Sequence, residues 1–223
     1  MKSFLNLKDF DFHLPESLIA QKPLADRDQS KLMILDRNSG SIKHEIFKNL
    51  PNYIAPQSLM VFNNTKVVPS KLNGFIINGL RPVEVLLVKE TSKKTYWEAL
   101  IKGLSKIKSG TEFNFGNGKL KAIYIDRNRD KAILKLIHKG KLSIILNKIA
   151  KMPMPPYIKR ENNNDNNLEA LDRERYQTIF ARYPGAIAAP TAGLHFTPNT
   201  LKSLKDKGVD TTHITLHVGT GTF

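Results

Sequence analysis

Between residues 71 and 137 the chain breaks into six short runs rich in β-forming residues, and nothing else in it narrows the possible folds as much. The runs fall at 71–77, 82–89, 95–102, 111–115, 119–125 and 131–137. Asn78-Gly79 separates the first two and Gly116-Asn117-Gly118 the fourth from the fifth, as hairpin turns would. Short strands at this spacing, each followed by turn chemistry, predict a small barrel or sandwich.

The flanking sequence has a different grain. LPESLIAQ carries a proline at a plausible first helical position, KLMILD and SIKHEI flank Asn38-Ser39-Gly40 like a hairpin, and SLMVF at 58–62 reads as a buried strand. A helix is predicted over 142–151. MPMPPYIKR is too proline-rich for helix and should run extended into the Asn-rich loop ENNNDNN. An amphipathic helix follows over 168–182, then a short strand AIAAP, a helix over 198–207 with Thr197 as N-cap and Gly208 as its stop, and a strand over 211–218. Strand, helix, strand in that order is a βαβ unit with parallel strands. The expected fold is therefore an α/β body with an inserted small all-β, barrel-like domain. The body is discontinuous, residues 1–66 with 151–223, and the basic insertion spans 67–150.

Charge is concentrated in that insertion and just beyond it. The chain carries a net +15, and residues 89–160 hold 18 Lys or Arg against 5 Asp or Glu. A one-signed field of this kind attracts a polyanion, of which nucleic acid is the common example, although a lysine-rich solvated surface is the plainer alternative. The absence of cysteine removes disulfides, thiolate zinc sites and cysteine nucleophiles. The N-terminus lacks the apolar core of a signal peptide and no run is long enough to span a bilayer, so a cytoplasmic protein without membrane contact is expected.

In a parallel α/β sheet ligands gather beyond the carboxyl ends of the strands. PTAGLHFT at 190–197 and GTGTF at 219–223 both fall at such ends, and their Gly and Thr residues let backbone amides and hydroxyls approach a polar ligand. Neither is a P-loop or a dinucleotide fingerprint, and each also reads as an ordinary turn. His213 and His217 have helical metal-pair spacing, but Ile-Thr-Leu between them argues for a strand, which sets them roughly 13 Å apart and excludes a shared metal ion. His195 sits in the ligand-side loop between Leu194 and Phe196, and both a functional and a buried structural role remain open. DRERYQT at 172–178 reads equally as a solvated helix face; Asn63, Thr65, Arg27 and Asp28 read as turn and capping groups.

Several segments taken in order resemble the S-adenosylmethionine:tRNA ribosyltransferase-isomerases of queuosine biosynthesis. They are DFDFHLPESLIAQKP, RDQSKLMILD, VFNNTKVVPSKL, PVEVLL and MPPYIKR, and, most specifically, DRERYQT, AAPTAGLHFT and LHVGTGTF. The resemblance covers residues 9–223. This chain has Asn64-Thr65-Lys66 where that family usually has Asp-Thr-Arg, and Ser70-Lys71 where it has Ala-Arg; lysine keeps the charge but not arginine's planar fork. Family members also continue past GTF with a further α/β segment, so the body is expected to be incomplete at its C-terminal end.

The resemblance implies transfer of the ribosyl portion of S-adenosylmethionine to 7-aminomethyl-7-deazaguanine in a tRNA anticodon loop. That portion rearranges to an epoxycyclopentane as adenine and methionine leave. S-adenosylmethionine is then a co-substrate, and no metal is called for. A base must remove a proton beside the sulfonium and an acid must help adenine depart. His195 and His217 are the expected acid/base groups, Thr191, Gly193, Gly219 and Gly221 are expected to shape the cofactor pocket, and Arg175 and Tyr176 to grip the cofactor carboxylate or the target base. The basic insertion is the expected tRNA clamp, on a monomer that a further C-terminal segment would complete. A tRNA-binding remnant without catalysis, an unstable fragment and an unrelated histidine-dependent hydrolase are the competing readings.

Overall fold

A computed structural model describes residues 6–78, 80–160 and 166–222. Gly79 of the expected Asn-Gly turn, residues 161–165 of the Asn-rich loop and Phe223 lie outside the described residues.

The N-terminal part forms a hairpin of β1 (Lys31–Leu35) and β2 (Ile42–Ile46), closed where Asp36 Oδ1 accepts from the Asn38 and Ser39 amides at 3.0 and 2.7 Å and Gly40 turns at φ +70°. β3 (Leu59–Asn63) and β4 (Thr65–Val67) then run almost end to end. The predicted strand over 58–62 is present, but it is not fully buried. Leu59 and Val61 stay 62% and 53% exposed because, among the described residues, only one face of β3 is packed.

β5 (Lys71–Ile76), β6 (Arg81–Glu90), β7 (Tyr96–Ile101), β8 (Glu112–Phe115), β9 (Leu120–Asn128) and β10 (Lys131–His138) close into a six-stranded antiparallel barrel in the order β10-β7-β6-β5-β8-β9. The alternation read from the sequence is the barrel's inside-outside pattern: Leu72, Val85, Leu87, Phe113, Phe115 and Leu134 are fully buried, while their neighbours face out. Each such side chain contributes roughly 1.5–3 kcal/mol on burial. Gly74 is required because a Cβ there would collide with the Asn114 carbonyl and the Phe115 ring across the β5–β8 ladder. Irregular registers at Leu87/Lys89 and Ile133/Leu134 bend the sheet toward closure. Helix α1 (Leu142–Ile149) adds Leu146 to the same core, which also holds Ala150, and stops the barrel on that side, with Ile149 against Gly116.

Beyond the barrel, residues 152–160 run without regular structure, as expected. Helix α2 (Asn166–Arg175) is shorter than the predicted 168–182, because its last carbonyls are captured by Arg27 from the N-terminal part. The strand expected at AIAAP lies earlier, as β11 (Tyr183–Ala186), parallel to β4. Helix α3 (Pro198–Asp206) begins as predicted, with Thr197 Oγ1 accepting from the Thr200 amide at 3.1 Å, and ends before Gly208 at φ +80°. β12 (Asp210–Ile214) is parallel to β3 and ends before the predicted 218. The two late strands thus pair with β3 and β4 and not with each other; Ile187 N–H, donating to Val218 O at 3.0 Å, links the segments that follow them. LPESLIAQ forms one 3-10 turn, Glu16–Leu18, in place of a helix.

Two smaller cores hold the α/β part. Phe47, Phe62 and Phe196 pack edge to face at 4.9–5.0 Å with Leu204 and Val209, and Phe180 stacks on Phe62 at 4.2 Å. Val67, Met152, Tyr176, Ala186 and Ala189 form the other. The architecture is an α/β body with a barrel placed between its two stretches of chain.

Candidate functional site

Two polar networks organise the ends of the parallel strands. In the first, Asn63, Asn64 and Thr65, where β3 runs into β4, hold the segment after β12. Asn63 Oδ1 accepts from the Leu216 amide at 3.1 Å while its Nδ2 donates to Leu216 O at 2.8 Å, and Thr215 Oγ1 donates to Asn64 Oδ1 at 2.7 Å. Thr65 Oγ1 lies 2.8 Å from His217 Nδ1. The His217 ring also covers Gly185 so closely that a Cβ at that position would fall 2.6 Å from Cε1. His217 is exposed, yet it is oriented from two sides, and its Nε2 has no hydrogen-bond partner among the described residues.

In the second network Arg27 ties the end of α2 to the loop before α3. Its Nη1 donates to Gln177 O at 2.8 Å, Leu194 O at 3.2 Å and Arg175 O at 3.3 Å, and its Nη2 to Glu174 O at 3.1 Å. A cation among helix C-terminal carbonyls is favourably placed, although burial, with Arg175 nearby, holds its pKa below the usual guanidinium value. The adjoining Asp28 accepts from Thr197 Oγ1 at 3.0 Å, so the carboxylate extends the N-cap of α3. Gln177 closes the edge of β4, donating to Val67 O at 2.7 Å and accepting from Val67 N at 3.0 Å. Arg160 and Asp172 form a two-pronged pair at 2.7 and 2.9 Å that joins the MPPYIKR segment to α2, and this bonding raises the arginine's pKa.

His195 ends the 3-10 turn Thr191–His195, half-buried, its ring 5.2 Å from that of Phe47 and without a hydrogen-bond partner among the described residues. Gly193 in the same turn packs on the Thr178 methyl, where a Cβ would fall 2.9 Å away. Thr191, Gly219 and Gly221 are exposed, and no heavy atom lies within 4 Å of a Cβ built on either glycine. Arg175 donates to Ala25 O at 3.1 Å while its Nε is buried without a partner among the described residues. Tyr176 is only 5% exposed, a core residue beside Val67 and Ala189, and burial pushes its phenol pKa up. The structure therefore sets His217 at the first network and His195 at the second. It also anchors Arg175 and Tyr176 in packing.

Sequence reasoning left Arg27, Asn63 and Thr65 as turn groups and did not single out Gln177. The available signal was a run of polar residues at the end of an apolar strand, which gave no hint of the partners 110 to 167 positions away. No cluster of three His, Cys, Asp or Glu suited to a metal is found among the described residues.

A cleft of about 840 Å³ separates β4 and β11 from the barrel strands β6 and β7 and from α1, and it reaches Gly185, on which His217 rests.

The sequence from Leu7 onward places the chain in a known class of protein. The profile described as "Queuosine biosynthesis protein" matches residues 7–223, and the chain belongs to that family. The S-adenosylmethionine:tRNA ribosyltransferase-isomerase of Clostridium kluyveri is 43% identical over 220 residues, 98% of this chain and 62% of the relative. The protein of the same description from Clostridioides difficile strain 630 is 42% identical over the same shares. The one from Thermoanaerobacter sp. strain X514 is 44% identical over 96% of this chain and 61% of its own length. The chain thus spans about three fifths of the curated relatives it matches. The crystal structure of S-adenosylmethionine tRNA ribosyltransferase from Thermotoga maritima is 31% identical, with 95% of this chain and 58% of that chain covered and a TM-score of 0.37.

Proposed function

We propose that this chain carries out, within queuosine biosynthesis, the reaction named for its relatives: ribosyl transfer from S-adenosylmethionine to 7-aminomethyl-7-deazaguanine in a tRNA anticodon loop, with rearrangement to epoxyqueuosine and release of adenine and methionine, in the cytoplasm. The domains are 1–66 with 151–223 and an inserted 67–150, and the closed barrel supports that division. His217 carries the reading furthest. Its Nδ1 is fixed by Thr65 at 2.8 Å while Nε2 is unengaged, which is how an imidazole is held for proton transfer. His195 is the second acid/base group. Thr191, Gly193, Gly219 and Gly221 shape the S-adenosylmethionine pocket, and Arg175 and Tyr176 hold the walls of that pocket.

Adenine release from S-adenosylmethionine by the purified chain, with precursor-bearing tRNA and a tRNA-free control, tests this directly. Release dependent on that tRNA supports the transfer; a folded chain that releases none overturns it. The exposure of His217 favours one second reading, a tRNA-binding protein without turnover. Retained tRNA affinity with no adenine release would select it.

A further inference from the structure

The cleft between the barrel and the α/β body combines three features that the acid/base chemistry does not use. Its floor is apolar: Val67, Leu87, Trp97, Leu142 and Leu146 line it, and the β6 irregularity at Val88 faces it. Its rim is cationic, with Lys66, Lys89, Lys94 and Arg182 against the single carboxylate of Glu90. Glu90 is already occupied in accepting from the Thr95 amide at 3.0 Å, Lys89 reaches Glu98 only at 3.6 Å, and Arg182 lies 5.3 Å over the exposed Tyr183 ring. Finally, two of the lining residues hold buried polar atoms without a partner among the described residues: Ser70 Oγ, on a residue 2% exposed, and Trp97 Nε1.

Unpaired buried polar groups are costly and rare, and the lining of this cleft holds two of them, each relieved of that cost by a ligand that reaches it. An apolar wall with an indole accepts a flat heteroaromatic ring whose edge carries hydrogen-bonding groups. Lysines around it suit an anionic linkage attached to that ring. We propose that this cleft binds one unstacked nucleotide of a single-stranded RNA, its base against Trp97 and Leu146 and its phosphates on Lys66, Lys89 and Lys94. The choice of a polymer over a free nucleotide rests on the RNA-directed function proposed above. S-adenosylmethionine is a poorer fit, because its sulfonium would meet the cationic rim. Single-stranded loops are the parts of RNA whose bases can be splayed out and stacked in this way.

Trp97 is the only tryptophan of the chain, so its emission reports on the cleft directly. A seven-nucleotide single-stranded RNA should quench it saturably, with binding that weakens steeply as salt is added. The same sequence as a duplex should leave the emission unchanged, as should S-adenosylmethionine alone. Guanosine monophosphate should bind at least tenfold more weakly than the oligonucleotide, and equal affinity would overturn the choice of a polymer. Lys66→Gln combined with Lys94→Gln should weaken oligonucleotide binding at least fivefold. Ser70→Ala should weaken it several-fold while leaving the unfolding midpoint unchanged or raised; a lowered midpoint with unchanged binding would show that Ser70 is only structural and overturn its assignment. Fluorescence anisotropy of labelled tRNA separates this proposal from the one it rests on. Binding of tRNA with unaltered Trp97 emission overturns the cleft and leaves the RNA-directed function standing, whereas absence of any RNA binding overturns both.

Discussion

Replacing Arg27 by alanine tests whether the α/β part is held by the network around its guanidinium. The 2.8 Å bond to Gln177 O is short and charge-assisted, a type worth roughly 1.5–3 kcal/mol. The three bonds of 3.1–3.3 Å are longer and one of them is exposed, so together they contribute on the order of 1 kcal/mol. The carbonyls of Leu194 and Gln177 would be left to water or to nothing. Arg27→Ala should therefore cost about 3 kcal/mol, and with a urea slope near 2 kcal/mol/M the midpoint should fall by about 1.5 M. Arg27→Lys, which replaces a planar fork by a point charge, should recover less than half of that. The assay is urea unfolding followed by far-UV circular dichroism, with Trp97 emission read in the same samples. Because Trp97 is packed against the barrel core, an emission transition that stays in place while the dichroism midpoint moves would locate the loss in the α/β part. A loss under 0.5 kcal/mol would refute the reasoning, since it would mean that water replaces the guanidinium at no cost.

The remaining predictions are each carried by one contact. Thr65→Val removes the partner of His217 Nδ1 at nearly constant volume; under the proposed chemistry adenine release should fall at least tenfold while tRNA affinity measured by anisotropy holds. Gly116→Ala forces a side chain at φ +58° into Ile149, and should lower barrel stability by about 2–3 kcal/mol in thermal unfolding read by Trp97 emission. Glu45, bonded by Asn49, Lys43 and Tyr53, has a carboxyl pKa lowered from 4.5 to about 2. A depressed carboxylate adds stability that is complete above its unfolded value and is lost as pH falls through the folded one. Unfolding midpoints should therefore drop between about pH 4.5 and 2, and Glu45→Gln should flatten that limb.

What the sequence made legible divides by the range of the interactions involved. All six barrel strands were located within a few residues, because alternation along Leu120-Lys121-Ala122 and turn chemistry at Gly116 to Gly118 are local signals that the closed barrel reinforces. The Thr197 cap and the Gly208 stop were legible for the same reason. Where the prediction slipped, a distant partner had overridden the local pattern. Helix α2 ends at Arg175 because Arg27 competes for its carbonyls, and the Tyr183–Ala186 strand is placed by its pairing with β4 before the apolar AIAAP run begins. The two polar networks depend on the same kind of contact. His195 was singled out by the loop that carries it and His217 by the family resemblance, but Thr65 beside His217, and Gln177 along β4, become visible only once strands more than a hundred residues apart are paired. The two unpaired polar atoms of the cleft are further still from any sequence signal. Ser70 and Trp97 look like an ordinary loop serine and a strand aromatic until the barrel closes against the α/β part and buries the Ser70 Oγ and Trp97 Nε1 without a partner among the described residues. In this chain the scaffold follows from neighbours in sequence and the chemistry from neighbours in space, so substitutions at the long-range contacts should affect function before they affect the barrel.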